Sequence, residues 1–331
     1  MDLYKGKVLV TGGAGFIGSA LIWALNKKGI DNILVSDFLG KDEKFKNLIP
    51  LKFDDYLEAD ALIDQLVDPS SILKDVSVVF HLGACSATTE QDCRYLIENN
   101  YEYTTAIGEW AIANNKRFVY ASSAATYGNG HQGMDDKMED ISCLKPLNMY
   151  GYSKQLADLF FQRKGLLKSI VGLKYFNVFG PNEHHKGDMR SVVHKAFHQI
   201  SQTGKVQLFK SYRPDYRDGE QERDFLYVKD AVDMTLYLAE TPETNGLFNL
   251  GSGHANTWLS LTKAIFKAMN LSENIEFIEM PENLKSKYQY HTCADISKLR
   301  STGYQKIITS LEDAVRDYIQ NYLMSGKYLG D

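Results

Sequence analysis

The sequence predicts a doubly wound α/β fold, in which a parallel sheet is covered by helices on both faces. Four short runs are continuously apolar rather than alternating, as expected for strands that are buried on both sides. Helical stretches separate these runs, notably around residues 89–114, and strands that alternate with helices are typical of a parallel α/β domain. A glycine-rich turn follows the first run directly. The four runs are residues 7–10, 32–37, 76–84 and 117–123.

The first helix follows the glycine-rich turn. Apolar residues from Ile17 to Leu25 recur at positions i, i+3, i+4, i+7 and i+8, which predicts a helix with one buried face. Gly29 ends this helix after two lysines, Lys27 and Lys28, which suit the last turn. The first run, the turn and this helix therefore predict a strand–turn–helix unit.

The order of elements is less regular after about residue 180. Residues 211–224 contain eight charged positions and predict a solvated loop, whereas residues 246–253 predict a strand that ends in a turn. Thr309 and Glu312 have the spacing of a capping box, which predicts a final helix to about Tyr322.

The chain length of 331 residues is enough for two domains or for one large domain. The regular first part predicts one doubly wound domain over residues 1–176. The less regular second part predicts a smaller mixed α/β domain over residues 177–331. We expect some exchange of chain between the two, with residues 225–250 returning to the first domain.

The composition argues against several classes of partner. A net charge of −5 gives no basic surface for nucleic acid or for an anionic membrane. No window approaches 18 uncharged apolar residues, and the N-terminus lacks the apolar core of a signal peptide, so we expect a cytoplasmic protein without a membrane-spanning helix. The cysteines show neither metal-binding spacing nor a disulfide framework, so we expect free thiols and no metal: Cys85, Cys93, Cys143 and Cys293.

Three glycines, Gly12, Gly15 and Gly18, form the turn between the first strand and the first helix. Glycine lets the backbone bend tightly there, and the helix N-terminus favours a diphosphate. A glycine-rich turn without a ligand is the alternative, but Asp37 at the end of the second strand favours a dinucleotide, because its carboxylate can accept hydrogen bonds from a ribose. Asp37 favours NAD, whereas the nearby Lys41 and Lys44 could compensate its charge for NADP or could be ordinary solvated lysines, so these residues leave the choice open.

Tyr150 and Lys154 are four residues apart and share one face of a predicted helix. A neighbouring ammonium favours the phenolate, and so would the positive charge of an oxidised nicotinamide. Together they are expected to bring the pKa of the phenol towards the working pH, as a general base requires. Ser123 ends the fourth apolar run, where ligands of such sheets bind, and its hydroxyl could orient the reacting oxygen. The alternatives are an exposed Tyr–Lys pair and a serine that only caps the next turn.

Six motifs occur in order over essentially the whole chain. They are TGGAGFIG (11–18), SSAATYG (122–128), YGYSK (150–154), YFNVFGP (175–181), RDFLYV (223–228) and FNLGSG (248–253). In this order they resemble the extended short-chain dehydrogenase/reductase superfamily and its NAD-dependent epimerase/dehydratase family. The resemblance is narrower for members that invert C6 of an ADP-linked heptose, and the segments that carry it include HLGACSATTE (81–90), GPNEHHKGDM (180–189) and KYQYHTCAD (287–295).

The resemblance implies an isomerase with a self-contained redox cycle. Tightly bound NADP, with NAD as the alternative, would remove hydride from C6 of an ADP-heptose substrate and return it to the opposite face of a 6-keto intermediate. The reaction would belong to the synthesis of lipopolysaccharide inner-core precursors, and the enzyme would be a homo-oligomer. Two proton-transfer groups are implied, namely Tyr150 supported by Lys154, and Lys186.

The resemblance also implies that residues 1–176 form a dinucleotide-binding domain of Rossmann type and that residues 177–331 bind the substrate, and it assigns binding roles to matching positions. This sequence departs from the family pattern at three positions. They are Phe38, where Asn is common, Leu82, where Glu is common, and Ala59, where some relatives have a basic cofactor contact. The implied cofactor residues are Gly12, Gly15, Phe16, Ile17, Gly18, Asp37, Phe38, Lys44, Leu82, Gly83, Ala84, Cys85, Ser86, Asn99, Tyr150 and Lys154. The implied substrate residues are Ser123, Asn177, Val178, Asp188, Lys195, Phe209, Lys210, Ser211, Tyr212, Arg223 and Tyr288.

Other functions remain open at this point. A different nucleotide-sugar epimerase, such as a 4-epimerase, would use the same residues, and a simple reductase would release the reduced cofactor. A non-catalytic dinucleotide-binding sensor is disfavoured because Ser123, Tyr150 and Lys154 are all retained. A 4,6-dehydratase is disfavoured because Ala124 and Ala125 stand where such enzymes have acidic residues.

Overall fold

The strands build one large sheet and two small ones. The computed structural model describes residues 5–68, 70–285 and 288–331. Within these ranges the strands are β1 (Lys7–Thr11), β2 (Ile33–Asp37), β3 (Asp55–Glu58), β4 (Val76–His81), β5 (Arg117–Ser123), β6 (Val171–Tyr175), β7 (Asn177–Phe179), β8 (Val206–Phe209), β9 (Glu222–Tyr227), β10 (Gly246–Leu250), β11 (Ala255–Thr257) and β12 (Ile275–Ile278).

The large sheet has seven strands in the order β10-β6-β5-β4-β1-β2-β3, and every neighbouring pair is parallel. All five residues of β2 are buried, and so are four of the five in β1. The predicted α/β fold with a parallel sheet covered on both faces is therefore confirmed. The small sheets have the orders β11-β9-β7 and β12-β8.

Helices follow most strands of the large sheet. None of the helices within the described residues is long and apolar enough to cross a membrane. Their bounds are α1 (Phe16–Lys27), α2 (Ala59–Val67), α3 (Cys93–Leu96), α4 (Tyr103–Ala113), α5 (Met149–Arg163), α6 (Val192–Thr203), α7 (Val228–Glu240), α8 (Trp258–Ala268), α9 (Glu282–Lys285), α10 (Ser297–Ser301) and α11 (Leu311–Tyr318). The helical region predicted at 89–114 comprises α3 and α4, joined by the π-helical residues Ile97–Glu102.

Three element boundaries differ from the sequence prediction. β4 ends at His81 rather than at residue 84, because the chain leaves the sheet at the following turn, whereas β10 ends at Leu250 before a turn, as predicted. The loop predicted for 211–224 ends earlier, because β9 begins at Glu222. The cap of α11 is Ser310, whose Oγ accepts from the Asp313 amide at 3.1 Å, whereas Thr309 bonds to Asp230 instead.

The second half of the chain shares its core with the first. Parallel pairing of β10 with β6 places residues 246–250 at the edge of the large sheet. One continuous cluster of buried apolar side chains includes Val8 of β1, Ile265 of α8 and Val315 of α11. The division into two domains between residues 176 and 177 stays a prediction.

Candidate functional site

A cleft of about 780 Å³ opens at the carboxyl ends of β1, β4, β5 and β6. This is the edge at which parallel α/β sheets bind their ligands. Many of the predicted site residues line it, from both halves of the chain: Gly12, Gly15, Phe16, Ile17, Gly18, Asp37, Lys44, Leu82, Gly83, Ala84, Cys85, Ser86, Ser123, Tyr150, Lys154, Asn177, Val178, Lys186, Arg223 and Tyr288.

The glycine turn between β1 and α1 has the shape of a dinucleotide cradle. Gly12 has a φ of +67° and packs so closely on the next strand that a β-carbon would lie 2.6 Å from the Gly83 backbone. A β-carbon at Gly18 would collide with the Gly12 carbonyl. At Gly15, by contrast, it would meet only the Gly12 oxygen at 3.1 Å, so the space beside the start of α1 is open to the cleft. The turn therefore fits a diphosphate at the helix N-terminus.

Asp37 at the end of β2 is engaged through both of its carboxylate oxygens. Oδ2 accepts from the Ala14 amide at 2.9 Å and from the Gly15 amide at 3.1 Å. Oδ1 accepts from the Phe38 amide at 2.7 Å and from Lys44 Nζ at 3.2 Å. Asp37 thus braces the glycine turn, and Lys44 adds a positive charge at the same end of the cleft.

Tyr150 and Lys154 both lie on the first turns of α5. Asn148 caps this helix, because its side chain accepts from the Gly151 amide at 2.8 Å. Lys154 is buried, and its Nζ donates to the Ala121 carbonyl of β5 at 2.8 Å. The cap and this bond fix the face of α5 that carries Tyr150 and Lys154 against the end of β5, where Ser123 also lies.

Burial shifts the pKa of both groups. Burial raises the pKa of the Tyr150 phenol above its usual range, and interaction with the Ser123 hydroxyl opposes this shift. Burial lowers the pKa of Lys154 to about 8, against the opposing charge of Asp158. The predicted lowering of the phenol pKa is therefore not produced by the protein's own groups, because desolvation of the phenolate outweighs their help.

The π-helical residues decide which asparagine faces the cleft wall. Asn100 is buried, accepts from the Cys85 amide at 2.8 Å, and donates to the Cys85 carbonyl at 3.0 Å. Its amide also lies 3.0 Å from the Ser153 hydroxyl of α5. Asn99, the predicted residue, donates to the Tyr95 carbonyl within its own helix and does not line the cleft.

Lys186 brings a second basic group to the cleft from residues 182–191, here called the Lys186 segment. Its Nζ lies 5.2 Å from the centroid of the Phe16 ring at the start of α1. Among the described residues it has no hydrogen-bond or ion-pair partner. Burial lowers the pKa of Lys186, and the charge of Glu183 opposes this shift.

Arg223 is a buried cation without a carboxylate partner among the described residues. It is 7% exposed and donates to the Glu222 carbonyl at 2.8 Å and to the Gln289 carbonyl. Its guanidinium lies 5.7 Å from the Trp258 ring and 5.2 Å from the Tyr288 ring. A buried guanidinium of this kind suits an anionic ligand.

The cysteines and histidines form no metal centre in the part of the chain that the structure describes. The four cysteines are free thiols. His184 and His185 face different neighbours: the His184 ring packs 4.8 Å from the Tyr328 ring, whereas His185 Nδ1 lies 3.3 Å from the Asn47 amide nitrogen.

Comparison of the sequence with known proteins identifies the family of this chain. The sequence profile described as the NAD dependent epimerase/dehydratase family matches residues 8–251. The chain belongs to this family. A Nitratidesulfovibrio vulgaris protein named ADP-L-glycero-D-manno-heptose-6-epimerase is 51% identical over 315 residues, which cover 95% of this chain and 97% of its own.

Solved structures of family epimerases have the same fold. The Helicobacter pylori ADP-L-glycero-D-manno-heptose-6-epimerase has a TM-score of 0.80 at 26% identity, over 97% of this chain and 98% of its own. A Bacillus cereus UDP-glucuronic acid 4-epimerase, solved with UDP-glucuronic acid and NAD, has a TM-score of 0.75 at 26% identity, over 95% of this chain and 99% of its own. The cofactor of this epimerase is therefore a nicotinamide dinucleotide, and its substrate is a nucleotide sugar.

Several residues predicted for the epimerase site lie outside the cleft lining. Asp188 and Lys195 are exposed, and Phe38 is 43% exposed beside the glycine turn. The segment 209–212 is separated from the cleft by the Tyr290 ring. The Tyr212 amide donates to the Tyr290 hydroxyl at 3.0 Å, and the Tyr290 ring packs on Tyr288, which lines the cleft. The predicted residues outside the lining are Phe38, Asn99, Asp188, Lys195, Phe209, Lys210, Ser211 and Tyr212.

The cleft also contains residues that sequence reasoning did not select. Most of them stand inside motifs that were recognised, so position within a motif was the available signal. Asn148 could have been found as a helix cap two residues before the YGYSK motif. Lys287 of the KYQYHTCAD segment lies outside the described residues. The additional lining residues include Asn148, Tyr175, Phe176, His185, Met189, Gln289 and Thr292.

Proposed function

We propose that this epimerase inverts C6 of ADP-D-glycero-D-manno-heptose through a 6-keto intermediate, in the synthesis of lipopolysaccharide inner-core precursors. The observation that carries the proposal is that two groups able to exchange a proton, Tyr150 of α5 and Lys186 of a separate segment, line one cleft. Inversion needs a proton partner for each face of the sugar alcohol. The name and 51% identity of the Nitratidesulfovibrio relative support the choice of substrate.

Tyr150 and Lys186 divide the proton transfers between them. Hydride acceptance and return at C6 is the chemistry that a bound nicotinamide supplies. Tyr150 exchanges a proton with the C6 oxygen in one half-reaction, and Ser123 donates a hydrogen bond that orients this oxygen. Lys186 exchanges the proton in the other half-reaction, after the keto sugar has turned in the cleft. Burial depresses its pKa, which suits a lysine to acid–base work.

Arg223 and Tyr288 hold the diphosphate of the nucleotide in this proposal. The Arg223 guanidinium is buried without a carboxylate partner among the described residues, so an anion in the cleft would supply the missing charge. The Tyr288 and Trp258 rings beside the guanidinium restrict its orientation, so that its planar fork of N–H donors can face the cleft. The segment 209–212 would contact the nucleoside beyond these rings.

We propose NADP as the dinucleotide, held by the glycine turn, Asp37 and the wall at residues 82–86. The positive charge of Lys44 beside Asp37 supports NADP, because it compensates the carboxylate next to a 2′-phosphate. Dissociation constants for NADP⁺ and NAD⁺ in the wild type and in Lys44→Ala test this choice. A selective loss of NADP⁺ affinity in the variant is expected, and equal losses for both dinucleotides would contradict it.

The direct test of the activity uses purified protein and ADP-D-glycero-D-manno-heptose without added cofactor. Inversion at C6, followed by NMR, is expected without stoichiometric release of reduced dinucleotide. Turnover of a UDP-sugar 4-epimer pair in its place would favour a 4-epimerase, as the structural likeness to the Bacillus enzyme allows. The cytoplasmic location and the homo-oligomer are further proposals, measured by fractionation and by sedimentation.

A further inference from the structure

Asn47, the last residue of the 3-10 helix Glu43–Asn47, joins the glycine turn to the Lys186 segment. Its side chain is 1% exposed and has no role in the proposed chemistry. Its amide nitrogen donates to the Ala14 carbonyl at 2.9 Å and to the Asn182 carbonyl at 3.1 Å. It also lies 3.3 Å from His185 Nδ1, which can accept because burial lowers the pKa of His185 to about 4 and keeps the ring neutral.

Asn182 extends the same connection to α1. Its amide nitrogen donates to the Ser19 hydroxyl at 2.9 Å, and its Oδ1 accepts from the Leu329 amide at 2.9 Å. Asn182 is fully buried and has a φ of +78°, a backbone conformation that asparagine tolerates better than most residues. The start of the Lys186 segment is therefore fastened to α1 and to the glycine turn.

The far end of the Lys186 segment is fastened separately. The buried carboxylate of Glu183 accepts from the amide and from the hydroxyl of Ser191. The Lys186 amide donates to the Glu183 carbonyl at 3.1 Å. Both ends of the Lys186 segment are therefore held by hydrogen bonds to the rest of the protein. The Nζ of Lys186 itself has no hydrogen-bond partner among the described residues, so the position of the side chain depends on the position of the segment.

We propose that Asn47 is a positioning residue that sets Lys186 against the glycine turn, an inference that rests on the proposed function of Lys186. Lys44 stands on the same 3-10 helix and pairs with Asp37. The 3-10 helix Glu43–Asn47 thus contacts both Asp37, through Lys44, and the Lys186 segment, through Asn47. A shift of about 1 Å in such a group costs on the order of 100-fold in rate.

The test compares Asn47→Ala and Asn47→Asp with the wild type. Asp has the shape of Asn but no N–H to donate to two carbonyls. Asn26→Ala is the matched control, because the Asn26 amide also donates to two backbone carbonyls, those of Ile30 and Lys52, away from the cleft. The full-length proteins are assayed for bound dinucleotide, for kcat and KM of epimerisation, and for the rate of reductive methylation of Lys186, read by mass spectrometry against exposed lysines of the same chain.

Both Asn47 variants are expected to keep KM and bound dinucleotide, to lose about 100-fold in kcat, and to methylate Lys186 faster. Asn26→Ala is expected to resemble the wild type in all three. The inference is overturned if kcat and methylation are unchanged, if dinucleotide is lost instead, or if both Asn47 variants fail to fold while the control folds. If the wild-type protein does not act on ADP-heptose, the proposed function is wrong. The methylation rates of Lys186 would still show whether Asn47 positions this lysine.

Discussion

At Tyr150 and Lys154, the sequence spacing predicted which side chains lie together but not the direction in which the phenol pKa shifts. The i, i+4 pair was recognisable from the sequence because it depends only on local helix geometry. The direction of the phenol pKa shift was not, because it depends on burial by distant elements. The missing carboxylate partner of Arg223 was equally invisible, since Glu222 and Asp224 flank it in sequence. In the structure those two carboxylates bind His291 and Ser252 instead.

Tyr150→Phe should remove most of the turnover and leave the fold intact. Only one oxygen is lost, and general acid–base groups contribute about 10²–10⁴-fold in rate. The measurements are kcat for ADP-heptose epimerisation and the far-UV circular dichroism spectrum. Turnover close to that of the wild type would exclude Tyr150 as the proton-transfer group.

Lys154→Met should stabilise the protein at pH 7 while it abolishes activity. The pKa of Lys154 is lowered to about 8 in the folded state from 10.5, so protonation opposes folding below about pH 8. Removing the charge should raise the free energy of unfolding at pH 7 by about 3 kcal/mol. The gain should shrink as the pH rises from 8 to 10.5, where both states lose the proton.

Urea unfolding of both proteins at pH 7 and pH 10 measures this difference. A variant that is less stable than the wild type at pH 7 would show that the bond to the Ala121 carbonyl outweighs the burial of the charge.

Helices and strands were more predictable than the residues at their ends. The continuous apolar runs identified the central strands because a parallel sheet is buried on both faces. The cap of α11 lay one residue beyond the predicted Thr309, because tertiary contact with Asp230 occupies that side chain. The π-helical residues 97–102 left no sequence signal, and they turn Asn100 rather than Asn99 towards Cys85.

His194 of α6 should make the protein sensitive to acid. Neither ring nitrogen has a hydrogen-bond partner among the described residues, and the ring is 2% exposed beside His184 and His198. Burial, together with those two rings and Arg190, lowers the pKa of His194 to about 3. Between about pH 6.5 and pH 3, His194 is therefore protonated in the unfolded state and neutral in the folded state. The free energy of unfolding falls as the pH drops through this range.

His194→Phe should reduce this loss. Between pH 7 and pH 5 the variant should lose about 2 kcal/mol less unfolding free energy than the wild type. Chemical denaturation at the two pH values gives the comparison, with wild type and variant in the same buffers. An identical pH dependence of the two proteins would contradict the assignment.

At the scale of the whole molecule, long-range pairing set the limits of prediction. The fold class and the position of the cleft followed from the order of elements, because ligands bind where parallel strands end. A contiguous substrate domain was harder to define, because α8 and α11 pack into the same core as β1. Sequence order carries no direct signal of such shared packing.

The dinucleotide should stabilise the entire chain, because its cleft draws on residues from both halves. A ligand at 100 times its dissociation constant raises the unfolding free energy by about 2.7 kcal/mol. Protein stripped of bound cofactor should therefore melt at a higher temperature when NADP⁺ is added back, by differential scanning fluorimetry. An unchanged melting temperature with saturating NADP⁺ and NAD⁺ would argue against a dinucleotide in this cleft.

The place of β10 beside β6 has a consequence for biosynthesis. About seventy residues separate Tyr175 from Gly246, and translation at roughly 5–20 residues per second takes several seconds to cover them. Throughout that interval one side of β6 offers unpaired peptide groups, a template for another nascent strand. Until β10 is made, the growing polypeptide can aggregate through this strand, and a chaperone that shields extended apolar segments would protect it at this stage.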